Sequence, residues 1–356
     1  MISFHSFHLS DQVCAANGIA DVNIWGSWAE IWRDESFVLD QTTQSNHVNG
    51  VIFSTDNDLF ILSECDKIFV DGTFKSTPHP FKQIFTIHGM YMDHVIHLAT
   101  CLLEGKRTDD YLYSLSAIKR KIQQLTGMPW QPTEFICDFE QAIIAAVEWE
   151  FPLAAIDGCH FHYTKSLWKR IGELGLIHAY KNDQMFKEII RKIMALGFLP
   201  LNFVSGVFNV LRNSGLVNHR IRLYPGLQNF FDYVQNTYIL PNSNFPPHRW
   251  NLWHRDMNTR TNNIVESFNN ALNSAVMVRH PSIWLFIRHL KDFHATSQIQ
   301  IRNANRGVPR PTRRRKWRQI EQNLLRLKAQ YINGQRSLNS YWKNVCYYIK
   351  DFLPRR

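Results

Sequence analysis

The stretch Phe69-Val70-Asp71-Gly72-Thr73-Phe74 closes a largely apolar run that begins at Ile68, and its reading decides the fold. As a strand the run is buried, and Asp71 is a carboxylate where an uncompensated charge is strongly disfavoured. As a turn, Asp-Gly is the commonest tight hairpin connection, and Asp71 merely reverses the chain. The stretch alone leaves both readings open. Two more acids stand at similar junctions downstream. Asp138 follows the short strand pattern 134–137, and Glu266 lies in the first turn of a helical pattern.

Working outward, alternation and turn residues predict three strands: around Phe69–Phe74, Gln83–Tyr91 and Val95–Leu103. Pro78, His79 and Pro80, then Met92 and Asp93, supply the connections, short enough for an antiparallel meander. Tyr111, Leu115, Ile118 and Ile122 recur at helical spacing over 108–125. A strand over 134–137, a helix from Phe139 to about Glu150 and a strand over 153–156 follow. Strands alternating with helices after a hairpin sheet give a mixed α/β layer. Three strands, helix, strand, helix, strand is the order of a ribonuclease H-like domain.

Residues 163 to about 255 carry helical patterns broken by prolines, an all-α insertion. A helix resumes from Asn263 to about Val276, and another covers 281–301 with Pro281 in its first turn. The expected division is 1–62, of unclear role, with Trp25, Trp28 and Trp32 as packing residues; 63–162, the first part of the core; 163–255, the insertion; 256–301, the core's completion; and 302–356, a basic tail.

The 356 residues include 45% hydrophobic and 13% aromatic side chains, enough for a large folded core. The formal charge is +10, and between Arg302 and Lys328 ten Arg or Lys face a single Glu. A basic block on a nearly neutral body points to a polyanion, nucleic acid first. Within it Arg313, Arg314, Arg315, Lys316 and Arg318 are the candidate DNA-backbone contacts, with Pro309 and Pro311 keeping the first part extended. The six cysteines are scattered with no CxxC pair, as in a reducing compartment. The longest apolar stretch, 196–211, is too short and too polar to span a membrane. A soluble nuclear protein is expected, the same basic cluster serving nuclear import.

Each acid has a structural reading. Asp138 with Gln141 three residues on fits an N-cap with a capping box, and Asn263 with Glu266 fits the same pattern. The helix around Glu266 carries more. Ile264, Val265, Phe268 and Leu272 give an apolar face, and Glu266, Asn269, Asn270 and Asn273 a polar stripe. Asn is poor helix material, so something other than helix stability accounts for that stripe. Three carboxylates suit Mg²⁺ or Mn²⁺, hard cations that take oxygen ligands and work on phosphates in pairs.

The order VDGTF at 70–74, CDFEQA at 137–142, GCHFHYTKSLWKR at 158–170 and TNNIVESFNNALNS at 261–274 resembles the Mutator-like element (MULE) transposases. The resemblance runs from about Val51 to Ser274. It implies an α/β, ribonuclease H-like mixed sheet with flanking helices and an all-α insertion before the catalytic Glu. It also implies a DDE triad of Asp71, Asp138 and Glu266 holding two Mg²⁺ or Mn²⁺ ions for DNA cleavage and strand transfer. Cys159 and His162 match the family's C-x-x-H signature. A zinc site from Cys159, His160 and His162 lacks a fourth ligand; a role in shaping the cleft or contacting DNA is preferred. The expected partners are transposon ends, target DNA and further copies of the chain. The family often carries a zinc-finger module ahead of the core, and no such Cys/His array is found here. An inactive copy, or a domesticated, non-catalytic DNA-binding or regulatory protein on the same fold, is the alternative.

Overall fold

A computed structural model describes residues 22–31, 35–42, 50–255, 263–310, 312 and 315–349. Its centre is a seven-stranded mixed sheet. The elements in chain order are β1 (Val38–Thr42), β2 (Gly50–Phe53), α1 (Asp56–Ser63), β3 (Lys67–Thr73), β4 (Gln83–Tyr91), β5 (His94–Leu103), α2 (Thr108–Thr126), β6 (Glu134–Cys137), α3 (Gln141–Glu150), β7 (Ala155–Gly158) and α4 (His160–Glu173). Across the sheet the order is β1-β2-β5-β4-β3-β6-β7. β3 pairs antiparallel with β4 and β4 with β5, whereas β3, β6 and β7 run parallel.

The Asp71-Gly72 pair is therefore strand, not turn: β3 continues through Thr73, with Asp71 opposite Thr86 and Gly72 opposite Phe85. A Cβ at Gly72 would lie 2.1 Å from the Gln83 amide nitrogen. A larger residue here would have to displace the Gln83 side chain, and the chain does not reverse at this glycine.

Both faces of the sheet are covered, so its strands read as near-continuous apolar runs. Ile52, Ile68, Val70, Phe85 and Ile87 face one layer, with Leu59 of α1, Leu115 and Ile118 of α2 and Val147 of α3. The alternate positions Val51, Phe53, Ile84 and Leu102 face the other. β1 and β2, which the sequence leaves unplaced, extend the sheet at the β5 edge. Trp28 packs against Trp284 at 5.1 Å between ring centroids; Trp32 lies outside the described residues.

From α4 to Trp253 the described chain is helices joined by turns, with no strand. The insertion comprises α5 (Ile177–Asn182), α6 (Gln184–Met194), α7 (Val204–Arg212), α8 (Gly215–Leu223) and α9 (Gly226–Val234). Then α10 (Asn263–Val276) and α11 (Ile283–Asn305) close the second face of the sheet through Leu272, Val276, Phe286, Ile287 and Leu290. α11 starts only at Ile283, so Pro281 precedes the helix instead of standing in its first turn, and Ser282 caps it, its hydroxyl accepting from the Leu285 N–H. Ile264, assigned to the apolar face of α10, is exposed.

α12 (Arg315–Ile332) and α13 (Leu338–Val345) follow. They are docked on the insertion rather than trailing from it. Tyr341 donates to the Phe198 carbonyl at 2.9 Å, Trp342 to that of Lys192 at 2.9 Å, and Lys328 to that of Trp253. Arg315, Lys316 and Arg318 thus stand on an exposed first turn of α12 rather than on extended chain. Pro311, Arg313 and Arg314 lie outside the described residues.

Candidate metal centre

The parallel register brings the acids together. Lys67 lies opposite Glu134, Ile68 opposite Phe135 and Phe69 opposite Ile136. Carried two residues further, the same register sets Asp71 level with Asp138, just past the end of β6. β7 continues the row, with Cys137 opposite Gly158 and the Cys159 N–H donating to the Cys137 carbonyl at 2.8 Å. His162 follows in the first turn of α4. A row of parallel strands ending at one edge leaves a crevice there, the usual place for a site in an open α/β sheet.

Side-chain alternation selects the face. Phe69 and Asp71, two apart on β3, point the same way. Phe69 packs with Ile136 and with Val265 of α10, so Asp71 also faces α10. There the Asn269 amide donates to Asp71 Oδ2 at 2.7 Å, and the Gly72 N–H donates to Oδ1 at 3.0 Å. One turn from Asn269, Glu266 Oε1 lies 3.2 Å from His162 Nε2. Ser76 donates to Asn273, which secures the same helix one turn on. Asn270, the remaining member of the polar stripe, is exposed.

Asp71, Asp138 and His162 each offer a ligand atom, and these atoms all lie within 4.8 Å of one another. Glu266 adjoins this group through His162. Asp138 does not cap α3: the N-cap position belongs to Glu140, which makes no capping bond with its side chain. That frees Asp138 for the crevice. Cys159 is buried, and His160 contacts the Met194 carbonyl at 3.2 Å, tying α4 to the insertion. Neither stands with His162 in the group.

The electrostatics are those of a site short of positive charge. Burial pushes the Asp71 carboxyl up to about 6, against the opposing pull of the Asn269 and Gly72 hydrogen bonds and of Lys165. Burial, then Asp71 and Glu140, hold the Asp138 carboxyl well above its ordinary value, with Lys106 opposing. Burial lowers the His162 imidazole to about 4, and Lys165 adds to the effect, so the ring is neutral at physiological pH. Among the described residues Asp138 Oδ1, His162 Nδ1 and Asn269 Oδ1 are buried without a hydrogen-bond partner. A divalent cation between the two carboxylates would satisfy the Asp138 oxygen that nothing else does and reverse the penalty of ionising both. The donor set fits a metal.

Three neighbours went unread in the sequence. Asn269 was visible only as part of a stripe. Glu140, inside CDFEQA, accepts from Tyr111 at 2.6 Å and adds negative potential to both aspartates. Lys165, one turn beyond His162, is the nearby cation that favours ionised Asp71.

The family model described as MULE transposase domain matches residues 67–166, and this part of the chain is similar to that domain. The match opens on the first residue of β3 and ends within α4, taking in Asp71, Asp138 and His162; Glu266 lies beyond it. No curated protein matches the chain. A transposase domain implies DNA as a partner, and no described helix is long and apolar enough to cross a membrane.

Proposed function

We propose that the chain is a DDE-type transposase of the MULE kind, cutting DNA at the ends of its element and transferring the freed strand to a target. The observation that carries this is the convergence of Asp71, Asp138 and His162 within 4.8 Å inside the matched transposase domain, with Glu266, from beyond it, against His162. The strand order β5-β4-β3-β6-β7, antiparallel on one side of β3 and parallel on the other, supports the ribonuclease H-like reading.

Asp71 and Asp138 would hold Mg²⁺ or Mn²⁺, with Glu266 completing the acidic set. When bound, such ions activate the attacking oxygen and stabilise the leaving oxygen of an in-line phosphoryl displacement. The chain's own part is orientation. Asn269 and the Gly72 N–H fix both oxygens of Asp71, and β6 fixes the height of Asp138 beside it. Lys165 and Lys106 add positive charge beside the acids, where a phosphate must approach. Arg315, Lys316 and Arg318 sit at the positive end of the α12 dipole, where cations are disfavoured unless an anion joins them. That placement supports a DNA-backbone contact and fits a nuclear protein.

The test is nicking of DNA carrying the element's flanking terminal repeats, with Mg²⁺ or Mn²⁺ and with chelator, against an Asp138→Ala control. Metal-dependent nicking lost in the control is expected. DNA binding without nicking in either protein would favour the non-catalytic alternative.

A further inference from the structure

We infer that Phe74 and Lys106 form a clamp for an unpaired nucleotide beside the acidic crevice: Phe74 stacks on a base drawn out of the duplex next to the cut, and Lys106 holds its phosphate. The inference deepens the transposase reading above and rests on it.

Phe74 is the first residue past β3, three after Asp71, and it is 58% exposed. One exposed apolar side chain means little by itself; its setting is what counts. The turn that carries it is tied down. The Thr77 N–H donates to the Phe74 carbonyl at 3.3 Å, Ser76 donates to Asn273 of α10, and His280 meets the Thr77 carbonyl at 3.3 Å. Ser76 and Thr77 are buried, so the ring is presented from a fixed base. Lys106, in the connection from β5 to α2, places its Nζ 4.6 Å from the ring centroid. The same exposed lysine is the cation that opposes the raised carboxyl of Asp138.

A nucleotide offers a flat base and a charged phosphate, and the pair offers a partner to each. The grooves of duplex DNA present base edges, which are read mainly by hydrogen bonds. The Phe74 side chain has no donor or acceptor, so its face meets a base only once that base has left the stack. Lys106 is drawn to the ring while no phosphate competes, and a phosphate gives an ammonium the stronger, charge-assisted bond. α4 carries a second such pair, with Lys165 Nζ 5.6 Å from the Phe161 ring centroid. Phe161 is half-buried and lies against His162, so Phe74 is the better placed ring.

The experiment uses the full chain with Mn²⁺ and DNA carrying the terminal repeats, either fully paired or mismatched at the repeat end. Phe74→Ala should nick paired DNA roughly 5–150-fold more slowly, the worth of one stacked base. Mismatched DNA should restore most of that rate, and Phe74→Trp should keep it on both. A second readout places 2-aminopurine at the repeat end and uses Asp138→Ala, which leaves the strand whole. Its fluorescence should rise on binding, fail to rise with Phe74→Ala added, and be quenched with Phe74→Trp added. An unchanged rate in Phe74→Ala, or an equal loss on paired and mismatched DNA, overturns the inference and leaves the proposed function standing. So does a Phe74→Ala chain altered only in oligomeric state, which would put a second copy on the ring. A fluorescence signal as expected without nicking by wild type overturns the proposed function alone. Neither signal nor nicking overturns both.

Discussion

The acidic cleft and the basic first turn of α12 hold opposite charge in opposite ways. In the cleft, residues separated by most of the chain meet in a buried crevice, where each charge is penalised by burial and by its neighbours. On α12, residues adjacent in sequence stand exposed, and solvent screens them. Charge in the cleft therefore lies in tension with folding, which a bound cation relieves. Charge on α12 is almost free of folding consequences and acts outward. Chemistry needs the first arrangement and attraction the second.

The largest expected effect breaks the comparison at the cleft. Asp138→Ala should reduce metal-dependent nicking to the level of the chelator control, while affinity for duplex DNA, measured by fluorescence anisotropy, stays close to wild type. An equal loss of binding would mean that the cleft, not α12, supplies the attraction.

Next is the tension itself. The Asp71 carboxyl is raised to about 6 in the fold from 3.8. Between those pH values the native state holds the proton that the unfolded chain has released, so this group lowers stability as pH rises through the window. Asp71→Asn without metal should match wild type near pH 4. It should exceed wild type by on the order of 3 kcal/mol near pH 7, because each tenfold difference in proton affinity between the folded and unfolded chain is worth about 1.4 kcal/mol. Urea melts at both pH values provide the check, and a difference independent of pH would remove burial as the cause.

Close in size is relief by metal. Mn²⁺ at about 100 times its dissociation constant should stabilise the fold by roughly 2.7 kcal/mol, seen as a higher melting midpoint. The same addition to an Asp71→Asn, Asp138→Asn double variant should leave the midpoint unmoved. A rise in both proteins would place the metal elsewhere.

The smallest effect sharpens the other region. Replacing Arg315, Lys316 and Arg318 together by Ala should reduce the log–log salt slope of DNA binding by roughly 2.7, about 0.9 per phosphate contact. The melting midpoint should hardly change, because exposed surface charges contribute little to stability. An unchanged slope would put the DNA path elsewhere, along the insertion helices.

By itself the sequence determined what depends on local order. Period-2 runs yield β4, β5 and the hairpin between them; helical spacing yields α2; and the motif order around Asp71, Asp138, Cys159, His162 and Glu266 points to the MULE family. Asp-Gly stayed ambiguous because a turn and a strand end use the same dipeptide, and only the pairing of Asp71 with Thr86 and Gly72 with Phe85 settles it. Asp138 looked like a helix cap because a strand-to-helix junction places a cap and a catalytic acid in the same spot; the helix begins later, after Glu140. β2 was illegible because its partner, β5, lies some fifty residues on, and β1 pairs only with β2. The tertiary structure alone decided that His162 stands with the two aspartates and that Asn269 grips Asp71. The physical reason is that a parallel register, side-chain alternation on β3 and the docking of Val265 on Phe69 and Ile136 set those distances. None of the three is a property of neighbouring residues.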